Sequence, residues 1–188
     1  MFGGTFDPPH IGHLIVALHA RYALDLDEVL LVVANRPWQK EGERLVTPAH
    51  HRLAMVDLAI GDVQGLRASD IELRRGGVSY TVDTVRELEE AGAGDVVLLM
   101  GRDAAGGLPT WDRVDELRDR VTVAVVDRPG AHGAPPPGWR TVEVEAPWLE
   151  VSSTDLRARF TDGRPLDYLT PDAVISYARR HRLYSAAG

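Results

Sequence analysis

The chain alternates short, unbroken apolar runs with segments whose apolar residues recur at helical spacing. Val29-Leu30-Leu31-Val32-Val33, Val96-Val97-Leu98-Leu99-Met100 and Val121-Thr122-Val123-Ala124-Val125-Val126 are rich in β-branched residues and apolar at nearly every position. That is the pattern of strands covered on both faces. Helical stretches lie between and beyond them. Leu14-Ile15-Val16-Ala17-Leu18 follows a turn rich in glycine and proline. Thr47-Pro48 supplies a cap and first turn for a helix through about Ile60. Thr81 opens another through about Glu90, closed by Gly92. Ser152 or Ser153 caps a helix through Phe160, and Thr170-Pro171 caps a last one through about His181. Strand alternating with helix predicts an α/β fold: a Rossmann-like, doubly wound, mainly parallel sheet with helices on both faces. Ligands of such a sheet bind outside the carboxyl ends of its strands.

At 188 residues the chain fits one domain, residues 1–188, with 129–138 as a Pro/Gly-rich surface loop. No internal repeat or heptad pattern is present. Only Met1 and Phe2 precede the Gly3-Gly4 turn, where this architecture needs a central first strand. Two expectations follow: a first strand that begins upstream of residue 1, or a sheet lacking that strand and leaving its neighbours' backbone unpaired.

Composition narrows the function classes. With no cysteine, a disulfide framework, a thiolate metal site and a cysteine nucleophile are all excluded. No charged start with a long apolar segment is seen, which fits a cytoplasmic protein that neither enters nor crosses a membrane. Lys+Arg total 21 against 28 Asp+Glu, a formal charge of −7, whereas nucleic-acid binders carry a basic surplus. Anionic small molecules remain allowed, because a few cations and helix ends can dominate a cleft. Lys40 is the lone lysine among those cations. A compact, mobile ammonium suits a migrating phosphoryl charge better than a planar guanidinium does.

The candidate chemistry begins at Gly3-Gly4-Thr5-Phe6-Asp7-Pro8-Pro9-His10-Ile11-Gly12-His13. A rigid turn feeds a helix whose first turn carries His10 and His13 on neighbouring positions of one face. The helix start offers backbone N–H groups, and Gly12 lets a bulky anion approach them. The pattern reads as a phosphate cradle with two imidazoles at its rim, or more plainly as a helix start with two surface histidines. Ser152-Ser153-Thr154 with Arg157 one turn on repeats the theme. Hydroxyls at a helix start and a cation suit phosphates, although an N-cap with a solvent-facing arginine gives the same pattern. Asp103 follows the strand ending at Met100 and Gly101. An acid there accepts from ribose hydroxyls or simply closes a turn. Trp111 offers an indole face to a flat cation, or a core contact.

Thr5-Phe6-Asp7-Pro8-Pro9-His10-Ile11-Gly12-His13 resembles the (T/H)xGH signature of the nucleotidyltransferase superfamily. The likeness extends to the bacterial nicotinate-nucleotide adenylyltransferases. It is carried by Arg36-Pro37-Trp38-Gln39-Lys40, His51-Arg52-Leu53-Ala54-Met55, Ser79-Tyr80-Thr81-Val82-Asp83-Thr84, Gly101-Arg102-Asp103 with Trp111, and Ser152-Ser153-Thr154-Asp155-Leu156-Arg157. Tyr168-Leu169-Thr170-Pro171 and Arg182-Leu183-Tyr184 also fit. Leu156 stands where isoleucine is commoner, and the Pro-rich excursion is a variable region. The resemblance implies adenylyl transfer from ATP to nicotinate mononucleotide, with Mg²⁺ arriving on the ATP and no metal ligands of the protein's own. It implies catalytic roles for His10, His13, Lys40 and Arg157. ATP contacts fall on Gly3, Gly4, Thr5, Phe6, Gly12, Gly101, Asp103, Ser152, Ser153 and Thr154. Tyr80, Thr81 and Trp111 are implied for the pyridine nucleotide. Other acceptors, such as nicotinamide mononucleotide, or a non-catalytic adenine-nucleotide sensor, remain as alternatives.

Overall fold

The computed structural model describes residues 1–37, 46–127, 133, 135–147 and 149–185. Among the described residues there are six strands: β1 (Phe2–Gly4), β2 (Val29–Val33), β3 (Leu66–Ser69), β4 (Val96–Gly101), β5 (Val121–Val126) and β6 (Thr141–Val144). The helices are α1 (Ile11–Ala23), α2 (Ala49–Ile60), α3 (Ile71–Arg75), α4 (Thr81–Glu90), α5 (Arg102–Gly106), α6 (Val114–Arg120), α7 (Ser153–Asp162) and α8 (Asp172–Arg180). Every described strand pairing is parallel: β1 with β2, β2 with β3, β4 with β5, and β5 with β6. The two three-stranded sets meet at the first residue. The Met1 amino group donates to the Val97 carbonyl at 2.8 Å, and Leu99 N–H donates to the Met1 carbonyl at 2.9 Å. The order is therefore β3-β2-β1-β4-β5-β6, which reverses direction at β1, the topological switch point of a doubly wound sheet. A sheet without its first strand is not what forms. Phe2–Gly4 occupies the central position in register with Leu31–Val33.

The apolar runs follow from burial on both faces. Val29, Leu31 and Val33 point into a core with Phe6, Leu14, Met55 and Val174, under α1, α2 and α8. Leu30 and Val32 point the other way, joining Val82, Val85, Leu98, Leu117 and Val123 under α4 and α6. With alternate residues claimed by different cores, no position in β2 is left for a polar side chain. None of the described helices is long and apolar enough to cross a membrane.

Two expected caps turn out differently. α2 starts after Pro48 with no side-chain cap, so Thr47 lies one residue before the cap position: its N–H donates to Asp7 Oδ2 at 3.3 Å and its carbonyl accepts from Arg52 Nε at 2.7 Å. α8 likewise starts after Pro171, and the Thr170 hydroxyl donates to the Pro9 carbonyl at 2.9 Å. Both Thr-Pro pairs tie distant loops together instead of capping the helix that follows. Ser152 does cap α7, its Oγ accepting from Asp155 N–H at 3.1 Å. The expected 129–138 loop is described only at residues 133 and 135–138.

One buried cation organises the strand ends. The core-facing stripe of α2 is Arg52, Met55, Val56, Ala59 and Ile60, and Arg52 is only 1% exposed. Besides Thr47, its guanidinium donates to the carbonyls of Thr5, just past β1, at 2.8 Å and of Asn35, just past β2, at 3.1 Å. Three loops thus share one donor group in a setting where an unmet carbonyl is costly. Arg52→Met removes the donors but keeps the volume, and should cost about 3–5 kcal/mol. Urea unfolding of the two proteins measures this directly, and a loss well under 1 kcal/mol would show that water replaces the guanidinium there.

Candidate active site

The turn between β1 and α1 is fixed from outside itself. Its successive carbonyls each accept from the C-terminal part of the chain: Asp7 from Arg157 Nη1 at 2.7 Å, Pro8 from Ser153 Oγ at 2.7 Å, and Pro9 from Thr170 Oγ1. Ile11 N–H adds a bond to the Leu169 carbonyl at 3.0 Å. The Asp7 carboxylate is fully buried, and its Oδ1 accepts from the Tyr184 hydroxyl at 2.7 Å. Burial, then the adjacent Asp7 charge, pushes that hydroxyl well above its ordinary range, so it stays a donor. Inside the turn Phe6 adopts a left-handed backbone, φ 49°, and packs over Gly4. A Cβ on Gly4 would lie 2.7 Å from the Phe6 ring, so only glycine fits beneath it.

This turn presents the two histidines. His10 is the extended N-cap residue of α1, and its N–H donates to His13 Nδ1 at 3.1 Å. Because Nδ1 accepts, the proton of neutral His13 is assigned to Nε2, which leaves that nitrogen as a donor. The rings stack with centroids 3.6 Å apart and 23° between planes, and the Phe6 ring meets His13 edge-on at 5.0 Å. His10 is 9% exposed, its Nδ1 is buried without a partner, and burial lowers its pKa to about 4. Its ring is therefore neutral near pH 7. Gly12 serves close packing: a Cβ there would come within 3.1 Å of both His10 Nδ1 and Val151 Cγ1.

A cavity of about 670 Å³ opens over these groups, lined by His10, Gly12, His13, Ser152, Ser153, Thr154 and Arg157 among others. The starts of α1 and α7 both border it, so two positive helix ends face one space. Arg157 bridges from the Asp7 carbonyl to Thr154 Oγ1 at 3.1 Å. Sequence elements some 140 residues apart are thereby joined into one anion-binding wall.

A second cavity, about 290 Å³, lies on the other side of the strand ends and shares Phe2 and Gly101 with the first. Tyr80, Thr81 and Trp111 all line it, with Glu72 and Asp112. Tyr80 is the N-cap of α4 and makes no side-chain cap bond, so the N–H groups at Thr81 gain no cap from its side chain. Trp111 Nε1 and Glu72 Oε2 are buried without partners, whereas Glu72 Oε1 accepts from the Thr84 hydroxyl at 2.7 Å.

Several expected ATP contacts are placed differently. Gly3, Gly4 and Thr5 line the second cavity, because the backbone past β1 faces α4. Phe6 lines neither; it is 2% exposed and supports His13 from the core. Asp103 sits in the first turn of α5, exposed, in the wall of neither cavity. Gly101 borders both. Lys40 lies outside the described residues. Sequence reasoning passed over Arg52, Asp7 and Glu72, which hold or line the site. Arg52 carried a signal, being the one charge within an otherwise apolar i, i+3, i+4 stripe.

Sheet order, helix-start cradle and adjoining second pocket together have the form of a nucleotide-binding protein. Comparison with known proteins agrees: residues 1–159 match the model of the cytidylyltransferase-like family. A Roseiflexus protein named probable nicotinate-nucleotide adenylyltransferase is 41% identical over 192 residues, 98% of this chain and 96% of its own. One of the same name from Oceanobacillus iheyensis is 40% identical over 185 residues, 98% and 95% of the two chains. The chain belongs to the cytidylyltransferase-like family and, within it, to the nicotinate-nucleotide adenylyltransferases. Its fold matches the solved structure of Plasmodium falciparum nicotinic acid mononucleotide adenylyltransferase complexed with NaAD, with TM-score 0.79. That match covers 97% of this chain and 95% of the other at 19% identity, a likeness of fold alone.

The buried, neutral His10 has a consequence for stability. Between its folded value of about 4 and the ordinary 6.5, the unfolded chain binds the proton that the folded protein refuses. Stability therefore rises with pH across that window and falls on acidification through it, levelling off once the folded form protonates too. His10→Gln should flatten this part of the stability–pH curve, measured by urea unfolding between pH 4 and about 7. An unchanged slope would mean that His10 is not held neutral by burial.

Proposed function

We propose that this chain transfers the adenylyl group of ATP to nicotinate mononucleotide, forming deamido-NAD and pyrophosphate. The observation that carries the reading is the pair of adjoining cavities at the switch point. One is walled by His10, His13, Ser152–Thr154 and Arg157, and the other by Trp111 and the start of α4. The first suits a triphosphate. The second offers an indole for a pyridinium ring and helix-start N–H groups for its carboxylate. The shared wall at Phe2 and Gly101 brings the two ligands' phosphates to a common boundary.

An oxygen of the acceptor phosphate attacks the α-phosphorus of ATP, and the bond to the α–β bridging oxygen breaks as pyrophosphate departs. The attacking phosphate is already an anion, so no general base is needed. Catalysis then rests on alignment and on charge neutralisation of the phosphoryl group and the leaving pyrophosphate. His13 donates through Nε2–H to the transferred group, and the neutral His10 fixes His13 by its N–H and its stacked ring. Arg157, with the hydroxyls of Ser152 and Thr154 beside it, faces the β- and γ-phosphates, and Lys40 is assigned there from the sequence. Among the described residues no group of three His, Asp or Glu could hold a metal ion. Mg²⁺ would arrive on the triphosphate, held by its oxygens and by water, and would supply further charge neutralisation there.

The test is incubation with ATP and Mg²⁺, with nicotinate or nicotinamide mononucleotide in parallel, and chromatography of the products. Deamido-NAD should form much faster than NAD, and no dinucleotide from either acceptor would contradict the reading. His13→Ala should lower kcat by about 10²–10³ while leaving the circular-dichroism spectrum nearly unchanged, with Tm lowered only modestly by loss of the bond from His10 N–H. Near-normal turnover in that variant removes His13 from the mechanism.

A further inference from the structure

Two carboxylate residues line the second cavity and a third stands near it, an unexpected setting for a ligand that itself carries one. Asp83 stands in the first turn of α4, beside the N–H groups that the proposed function gives to the ligand carboxylate. Asp112 lines the cavity next to Trp111. Glu72 lines it as well, paired through one oxygen with Thr84 and lying 3.9 Å from Arg75. Uncompensated, these charges would favour a neutral or cationic ring substituent over an anionic one.

One side chain, Arg113, holds two of the three, with Arg86 Nη1 also 3.7 Å from Asp83 Oδ1. Arg113 grips Asp83 with both terminal nitrogens, Nη1 to Oδ1 at 2.7 Å and Nη2 to Oδ2 at 2.8 Å. Its Nε donates to Asp112 Oδ1. Its Cζ stands 5.8 Å from the centre of the Tyr80 ring, so the guanidinium also lies over the N-cap residue of α4. The backbone is set for this reach: Arg113 is the N-cap of α6 in the left-handed region, φ 47° and ψ 46°, a conformation costly for a side-chain-bearing residue. Asp83 is held below the ordinary carboxylate range, first by its bond to Arg113, with Arg75 and Arg86 adding to the positive field. Arg113 itself does not line the cavity.

We propose that Arg113 sets the preference of this cavity for an acid over an amide. It neutralises Asp83 and Asp112 at the helix start that receives the ligand carboxylate. The inference rests on the proposed function for the identity of the ring, but it concerns binding and is read without turnover. Arg113 is thus a positioning residue, acting through the two aspartates and Tyr80. A purely mechanical clamp would affect both ligands equally, whereas charge compensation affects the anionic one.

The experiment is titration calorimetry of the wild type, Arg113→Met and Arg113→Lys with nicotinate mononucleotide and with nicotinamide mononucleotide, at low salt. Methionine keeps the left-handed cost similar, and melting curves report whether each variant is folded. The wild type should bind the acid more tightly than the amide. Arg113→Met should weaken acid binding roughly tenfold and amide binding by less than about twofold, the size of one partly screened charge at short range. Arg113→Lys should keep most of the acid preference, and Asp112→Asn added to Arg113→Met should restore part of it. Equal losses for both ligands, no loss for either, or a wild type without acid preference would each overturn the proposal. Turnover assays alongside keep the two claims apart. A wild type that binds with the expected selectivity but forms no dinucleotide would contradict the proposed function and leave this inference standing.

Discussion

Three consecutive carbonyls, of Asp7, Pro8 and Pro9, are held by Arg157, Ser153 and Thr170, and the rest of the site depends on that attachment. Alone, a turn of this kind would be a mobile connection between a three-residue strand and a helix. Attached, it fixes where α1 begins, and with it the N–H of His10 that sets the tautomer of His13. Arg157 also lines the larger cavity, so one group that holds the turn is among those that would meet the phosphates. Preorganisation and ligand contact then come from the same side chain, a compact route to a donor that need not reorganise during reaction.

Buried polar groups extend this logic beneath the surface. Arg52 joins the ends of β1 and β2 to the segment before α2, and Asp7 joins the turn to Thr47 and Tyr184. Each sits where a hydrophobic residue would pack with less desolvation cost. Their return is a defined geometry at the carboxyl edge of the sheet, where both cavities open. Side chains from α2, α7 and the approach to α8 complete the hold on the turn.

Much of the fold was legible because two-sided burial leaves a simple trace. β2, β4 and β5 read as unbroken apolar runs since each face is claimed by a separate core. β3 and β6 were not read, and both are edge strands: Leu66-Arg67-Ala68-Ser69 and Thr141-Val142-Glu143-Val144 are short and carry polar residues on their exposed side. The Thr-Pro pairs misled for a different reason. Each helix starts one residue later than a threonine cap would set it, at Pro48 and Pro171, while the Thr47 backbone and the Thr170 hydroxyl bond to long-range partners at Asp7, Arg52 and Pro9. Within the site, the histidines and the Ser152–Arg157 stretch were legible as a local motif, and Tyr80, Thr81 and Trp111 were legible through resemblance. That Gly3, Gly4 and Thr5 face the second cavity, and that Phe6 faces neither, depends on the direction of the chain past β1. No spacing in the sequence encodes that direction. The compensation of Asp83 and Asp112 by Arg113 joins α4 to the start of α6 and is equally invisible along the chain.

The central claim is that the triphosphate lies against the histidines and the start of α7, with the pyridine ring on the far side of the shared wall. A crystal structure with a non-hydrolysable ATP analogue and Mg²⁺ tests it most directly. The α-phosphate should lie within hydrogen-bond reach of His13 Nε2 and the outer phosphates against Ser152–Thr154 and Arg157. Phosphates seated instead at the start of α4, between Thr81 and Trp111, would contradict it.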